Sequence, residues 1–176
     1  MKRDKSLHPL SWDHHAALTS VVFTRKHLKA GTGVERLQQV AREYAAFYEI
    51  GLLTHFRHEE EWLLPRYLRH VEADDPGVIR LLTDHVKLHR LILDLSQALE
   101  SGRDLATPLA TLTDLLETHV RFEERELFPR IEAALTADEL RQLGEYLWAN
   151  APEDVIIPGG DGCRVKISGA ELVDTD

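Results

Sequence analysis

The chain has 176 residues, enough for one domain with a core of its own and little room for a second. Its net charge of -9 at pH 7 argues against nucleic acid and anionic membrane as partners, because both reward clustered Lys and Arg, and no apolar run approaches the ~20 residues that span a bilayer. The single cysteine, Cys163, allows no internal disulfide, and the N-terminus lacks the apolar core of a secretory signal, so a cytoplasmic location is expected.

The first helix is expected from about Trp12 to Lys29, capped by Ser11 and ended by Gly31 and Gly33. A long second helix follows from about Val34 to Val71. It should bend or break near Pro65, whose ring removes the hydrogen bond to Glu61. Asp75 and Pro76 open a third helix that runs to Glu100 and stops at Ser101 and Gly102. Thr107 and Pro108 open a fourth, ending near Leu135, and Thr136 with Glu139 reads as a capping box for a short fifth helix to about Ala149. Residues 152 to 176, with the glycines of PGGDG and two β-branched stretches, read as an irregular, dispensable tail in preference to a small hairpin. The expected fold is therefore all-α: residues 1-150 form an up-and-down four-helix bundle with a short fifth helix, and residues 151-176 form a C-terminal tail or small hairpin.

The 10 histidines are the anomaly in this composition. The phrase HFRHEEEWLLPR at residues 55 to 66 returns as HVRFEERELFPR at 119 to 130, with seven of the twelve positions identical. At helical periodicity the second helix places Leu52, His55, Glu59 and Trp62 on one inward stripe, the third Leu81, His85, Leu88 and His89, and the fourth Leu116, His119 and Glu123. On the first helix the stripe is read as Trp12, His15, Leu18 and Val22, which turns His14 outward together with His8, His27 and His70. Burying five imidazoles and two carboxylates unpaired would cost several kcal/mol each, and no basic residue shares these stripes. A metal ion resolves the conflict, since neutral imidazole and carboxylate at i and i+4 present two donors one turn apart. His58 flanks the site, Glu126 could support it or turn outward, and Tyr44 and Tyr48 are core packing or have a redox or gating role. The Glu-x-x-His of ferritin-like di-iron helices and the His-Glu-x-x-His of zinc proteases are both absent.

The series His15, His55-x-x-x-Glu59, His85-x-x-x-His89 and His119-x-x-x-Glu123 resembles the hemerythrin-like domain, the HHE cation-binding domain, over residues 12 to about 135. The resemblance implies two iron ions in an oxo- or hydroxo-bridged non-haem centre inside a four-helix bundle. One iron would be held by His85, His89 and His119 and the other by His15 and His55, with Glu59 and Glu123 bridging. Oxygen-carrying hemerythrins have His-x-x-x-x-Asp in the last element, whereas here Glu123 takes the place, Glu124 being about 140° off the His119 stripe. The implied roles are binding or sensing of dioxygen, a small oxidant such as peroxide, or iron. Alternatives are a di-iron oxidoreductase, and a redox-inactive zinc or manganese interaction domain. A protein partner or a homo-oligomer stays open.

Overall fold

A computed structural model describes residues 3–152 and 155–165. Helix α1 is His8–Lys29, preceded by a single 3-10 turn at Lys5–Leu7. It begins a turn earlier than expected because Pro9 lies in its first turn, and Ser11, inside the helix, does not cap it. Helix α2 is one continuous rod built from Val34–Phe47, a π-helical turn at Tyr48–Leu52, Leu53–Arg57, a second π-turn at His58–Leu63, and Leu64–Tyr67. Helix α3 is Pro76–Glu100, with the Asp75 carboxylate accepting from the Gly77 and Val78 amides. Helix α4 joins Ala106–Phe122, a π-turn at Glu123–Leu127, and Phe128–Ala134. Its start is tied by Asp104, which accepts from the Ala106 and Thr107 amides. Helix α5, Ala137–Asn150, starts from the Thr136 and Glu139 capping box.

The described residues are overwhelmingly helical, as the periodicity requires. Helix α1 packs along α4, α3 along α4, and α2 along α3. No helix among the described residues is long and apolar enough to cross a membrane.

Pro65 does not break α2. The π-turn before it widens the helix so that the Leu64 amide donates to the Glu59 carbonyl five residues back, and Pro65 enters the next turn without interrupting the rod. The same device recurs in α4, where the Phe128 amide donates to the Glu123 carbonyl just before Pro129.

The apolar core is split in two. One cluster gathers Ala17, Tyr44, Phe56, Leu88, Leu112 and Leu116; the other gathers Leu10, Leu63, Leu81, Phe128, Leu143 and Leu147. Between them, on all four long helices, lies a layer of buried polar side chains, among them His14, Glu59, His85 and Glu123.

Within residues 155–165 the structure has the small hairpin in place of the irregular tail. Residues Val155–Ile156 and Arg164–Val165 pair as a two-residue antiparallel hairpin, Val155 opposite Val165. Val155 and Ile157 are fully buried in the first cluster. The Gly159 amide donates to buried Glu43 at 2.7 Å, and its carbonyl accepts from His27 Nε2 at 3.0 Å. Gly159 has φ 75°, a conformation that strains any other residue, and a Cβ there would sit 3.2 Å from Phe23 and Thr24. The β-branched residues thus have a slot to fill and the backbone has partners. The expectation for residues 166–176 lies outside the described residues.

Candidate metal centre

Helix α1 corrects the first ligand. Its buried face is Leu10, Asp13, His14, Ala17, Ser20, Val21 and Thr24, so His14 points inward while His15 is exposed. The stripe through Trp12, His15 and Leu18 is the outer flank, and Val22 on that line is 65% exposed. Small residues at 16, 17 and 20 let α1 lie close to its neighbours, which makes this the inward side.

Two overlapping donor sets result. His14, His55, Glu59 and Glu123 form one, and Glu59, His85, His119 and Glu123 the other, with ligand atoms in each set within 4.8 Å of one another. The two glutamates belong to both. The sets are related by an internal two-fold repeat: His14 Nε2 lies 3.0 Å from Glu123 and His85 Nε2 3.2 Å from Glu59, while His55 Nε2 is 3.4 Å from Glu59 and His119 Nε2 3.3 Å from Glu123. His55, Glu59, His85, His119 and Glu123 are therefore brought together as the spacing requires. His15 is not, and neither is His89, whose Nδ1 is hydrogen-bonded to the Tyr48 hydroxyl at 2.6 Å. A division of three histidines against two gives way to two against two.

A ring of carboxylates surrounds the donors. Glu124 accepts from His14 Nδ1 at 2.7 Å, Asp13 from His55 Nδ1 at 3.0 Å, and Glu60 from His85 Nδ1 at 2.6 Å. Asp84 stands 4.0 Å from His119 Nδ1, beyond hydrogen-bond reach. A carboxylate can only accept, so each bonded Nδ1 carries hydrogen and the Nε2 lone pair is left for the centre. Glu124 is itself held by Ser11 Oγ at 2.7 Å and by Arg3 at 2.8 Å, tying the segment before α1 to His14. The repeat is thus Asp-His on α1 and α3 (Asp13-His14, Asp84-His85) and His-x-x-x-Glu-Glu on α2 and α4. In each Glu-Glu pair the first carboxylate enters the centre and the second serves a histidine on another helix.

Without a metal the site is electrostatically incomplete. Both oxygens of Glu59 and of Glu123, and Nε2 of His85 and of His119, are buried with no hydrogen-bond partner. Burial opposes charge on His14, yet the Glu123 carboxylate 3.0 Å from Nε2 and Glu124 bonded at Nδ1 outweigh it and push its pKa up to about 10. Burial is likewise outweighed at His85, where Glu59 and Glu60 raise the pKa to about 9. Burial and the neighbouring Glu59 carboxylate push Glu123 upward, and burial above all drives His119 downward. Protons on some of these groups balance the buried charge, and a cation would displace them. Imidazole nitrogens and carboxylate oxygens converging within one ion's reach, with the inner atoms unsatisfied, fit a first-row metal.

His58 is buried against the Tyr146 ring, 5.7 Å between centroids, and is no donor; Glu126 is exposed. The signal for His14 was present in the sequence as the Asp-His pair that α1 shares with α3.

Fold and donor set together fit a helical cation-binding protein. The family model for the hemerythrin HHE cation binding domain matches residues 10–143, and the chain belongs to that family. No curated protein and no solved structure matches it.

Proposed function

We propose that the chain holds two iron ions, one in each donor set, and through them binds or senses dioxygen, a small oxidant such as peroxide, or iron itself. The observation that carries this reading is the sharing of Glu59 and Glu123 between two sets of two histidines each. Iron bound there would supply or accept electrons in reactions with such oxidants. His14 and His55 would hold one ion, His85 and His119 the other, and each glutamate would span both. Each set offers four protein donors, which leaves positions for a small ligand at a six-coordinate ion. Asp13, Glu60 and Glu124 orient the imidazoles, and the two apolar clusters keep bulk water from the ligands. The order of packing, with short connections between successive long helices, supports an up-and-down four-helix bundle over residues 1-150, on which the hairpin of the C-terminal segment is packed.

Anaerobic loading with ferrous iron, elemental counting and an optical spectrum after exposure to air test the proposal. Two ions per chain and an oxo-bridge absorption are expected. Saturation at one ion would refute the paired centre. Tight zinc or manganese retention with no iron spectrum would favour the redox-inactive alternative.

A further inference from the structure

The internal repeat is also broken beside the centre by a change of residue type. Seven residues before His55 stands Tyr48, and seven before His119 stands Leu112; four residues after His85 stands His89, and four after His14 stands Leu18. The α2 and α3 side of the centre therefore has a hydrogen-bonded tyrosine and histidine where the α4 and α1 side has two leucines. Tyr48 also opens a π-turn that α4 lacks around Leu112, so this part of α2 departs from the regular helix.

The pair is connected to the donors. The Tyr48 ring meets His89 edge-on at 5.6 Å between centroids, His89 meets Phe56 at 5.4 Å, and Phe56 stacks on His85 at 4.0 Å. In the repeat, Phe56 stands where the other half has Val120. Tyr44, the nearest tyrosine in sequence, is bonded to the Ser20 and Thr24 hydroxyls, which are poor proton acceptors. Tyr48 is bonded to a base.

We propose that Tyr48 is a redox-active tyrosine that supplies an electron to the metal centre through Phe56 and His85 while its phenolic proton passes to His89 Nδ1. With hydrogen peroxide as the oxidant, reduction to two waters takes two electrons and two protons. One electron comes from a ferrous ion, which becomes ferric, and one from Tyr48, which becomes a neutral tyrosyl radical; the O–H bond breaks and an N–H bond forms on His89. Solvent supplies the protons consumed at peroxide. Burial raises the pKa of Tyr48, and burial together with His85 lowers that of His89, so phenol and imidazole are both neutral near neutral pH, as the transfer requires. Without the base, oxidation would leave a strongly acidic phenol cation.

The proposal rests on the iron reading above, and its test has two arms so that the two can fail separately. In the first, iron-loaded protein bearing ring-deuterated tyrosine is mixed with hydrogen peroxide, frozen rapidly and examined by electron paramagnetic resonance, with iron content measured on the same sample. A tyrosyl signal narrowed by deuterium is expected in the wild type and is lost in Tyr48→Phe at unchanged iron content. Its absence from iron-replete wild type, or its survival in Tyr48→Phe, overturns the proposal. In the second, metal-free protein is oxidised by a photoexcited ruthenium tris-bipyridine. Tyr48 oxidation, read as the part of the signal missing in Tyr48→Phe, should slow on the order of a hundredfold in His89→Gln, the usual scale for losing a positioned base. Equal rates overturn the pairing whether or not iron binds. Failure to take up iron, with the slowing still present, counts against the iron reading and leaves the tyrosine and histidine pair standing.

Discussion

The half of the centre carried by α1 and α2 and the half carried by α3 and α4 use the same residues in the same order. Each has Asp-His on its first helix and His-x-x-x-Glu-Glu on its second. Around these shared residues the halves diverge. Arg3 clamps Glu124 beside His14, whereas the equivalent Glu60 beside His85 is 38% exposed and has no such cation among the described residues. The hairpin packs on α1 and α2. What the repeat keeps is the electrostatics of ligation, which tolerates little variation; what it relaxes is packing, where leucine, phenylalanine and valine fill space nearly as well as one another.

The comparison can be broken most sharply at the shared glutamates. Because each belongs to both donor sets, Glu59→Gln and Glu123→Gln should each remove both ions, checked by elemental analysis; loss of only one ion from either variant would show that the halves do not share it. Next, His14→Ala should halve the metal content while His15→Ala leaves it intact, since only His14 faces the centre. Truncation before Val155 should destabilise the fold by a few kcal/mol, at about 1.5–3 kcal/mol for each of the two buried side chains lost, measured by denaturant unfolding. Among the outer carboxylates, Asp13→Asn and Glu60→Gln should weaken metal affinity by roughly 10- to 100-fold, and Asp84→Asn by less, because Asp84 makes no hydrogen bond to His119. The smallest effect is on pH dependence. His14 and His85 have folded pKa values raised from 6.5 to about 10 and about 9, so their contribution to metal-free stability is full below pH 6.5 and is lost as pH rises through those values. Metal retention should run the opposite way and strengthen with rising pH, because protons compete for the same nitrogens. Unfolding curves with and without metal across that window should cross in slope.

Much of this was legible in the sequence. Helical periodicity and capping residues place all five helices within a few residues, and the duplicated phrase identifies Glu59 and Glu123 because both are embedded in long apolar stripes. His14 was not legible from periodicity, since two adjacent histidines differ by only 100° and the choice depends on where α1 begins, which Pro9 sets. His89 shares a face with His85, yet what decides its role is Tyr48 on another helix, a contact that no one-helix pattern contains. The hairpin was one of two readings, and the choice was not legible because its burial depends on a slot between α1 and α2 and on the Glu43 carboxylate accepting from a backbone amide.

The π-turns that begin at His58 and Glu123 have a consequence for how the chain tolerates length changes. A π-turn holds one residue more than the α-turn it replaces, so the helix beyond it is out of phase with the helix before it by about 100°. Trp62, which a uniform helix would send inward, is instead half-buried and stacks on Tyr146 of α5, while Leu63, Leu64 and Tyr67 reach the second cluster. Deleting one residue from either turn, Glu61 or Arg125, would restore a regular helix and rotate everything after it. The ligands precede that point and would keep their bearing; the residues lost from place would be Leu64 and Tyr67, or Phe128 and Ile131, at the far end of the rod. Each extra residue acts as a phase shifter, allowing one helix to turn its buried histidine and glutamate to the centre with one face and to reach a hydrophobic floor with another.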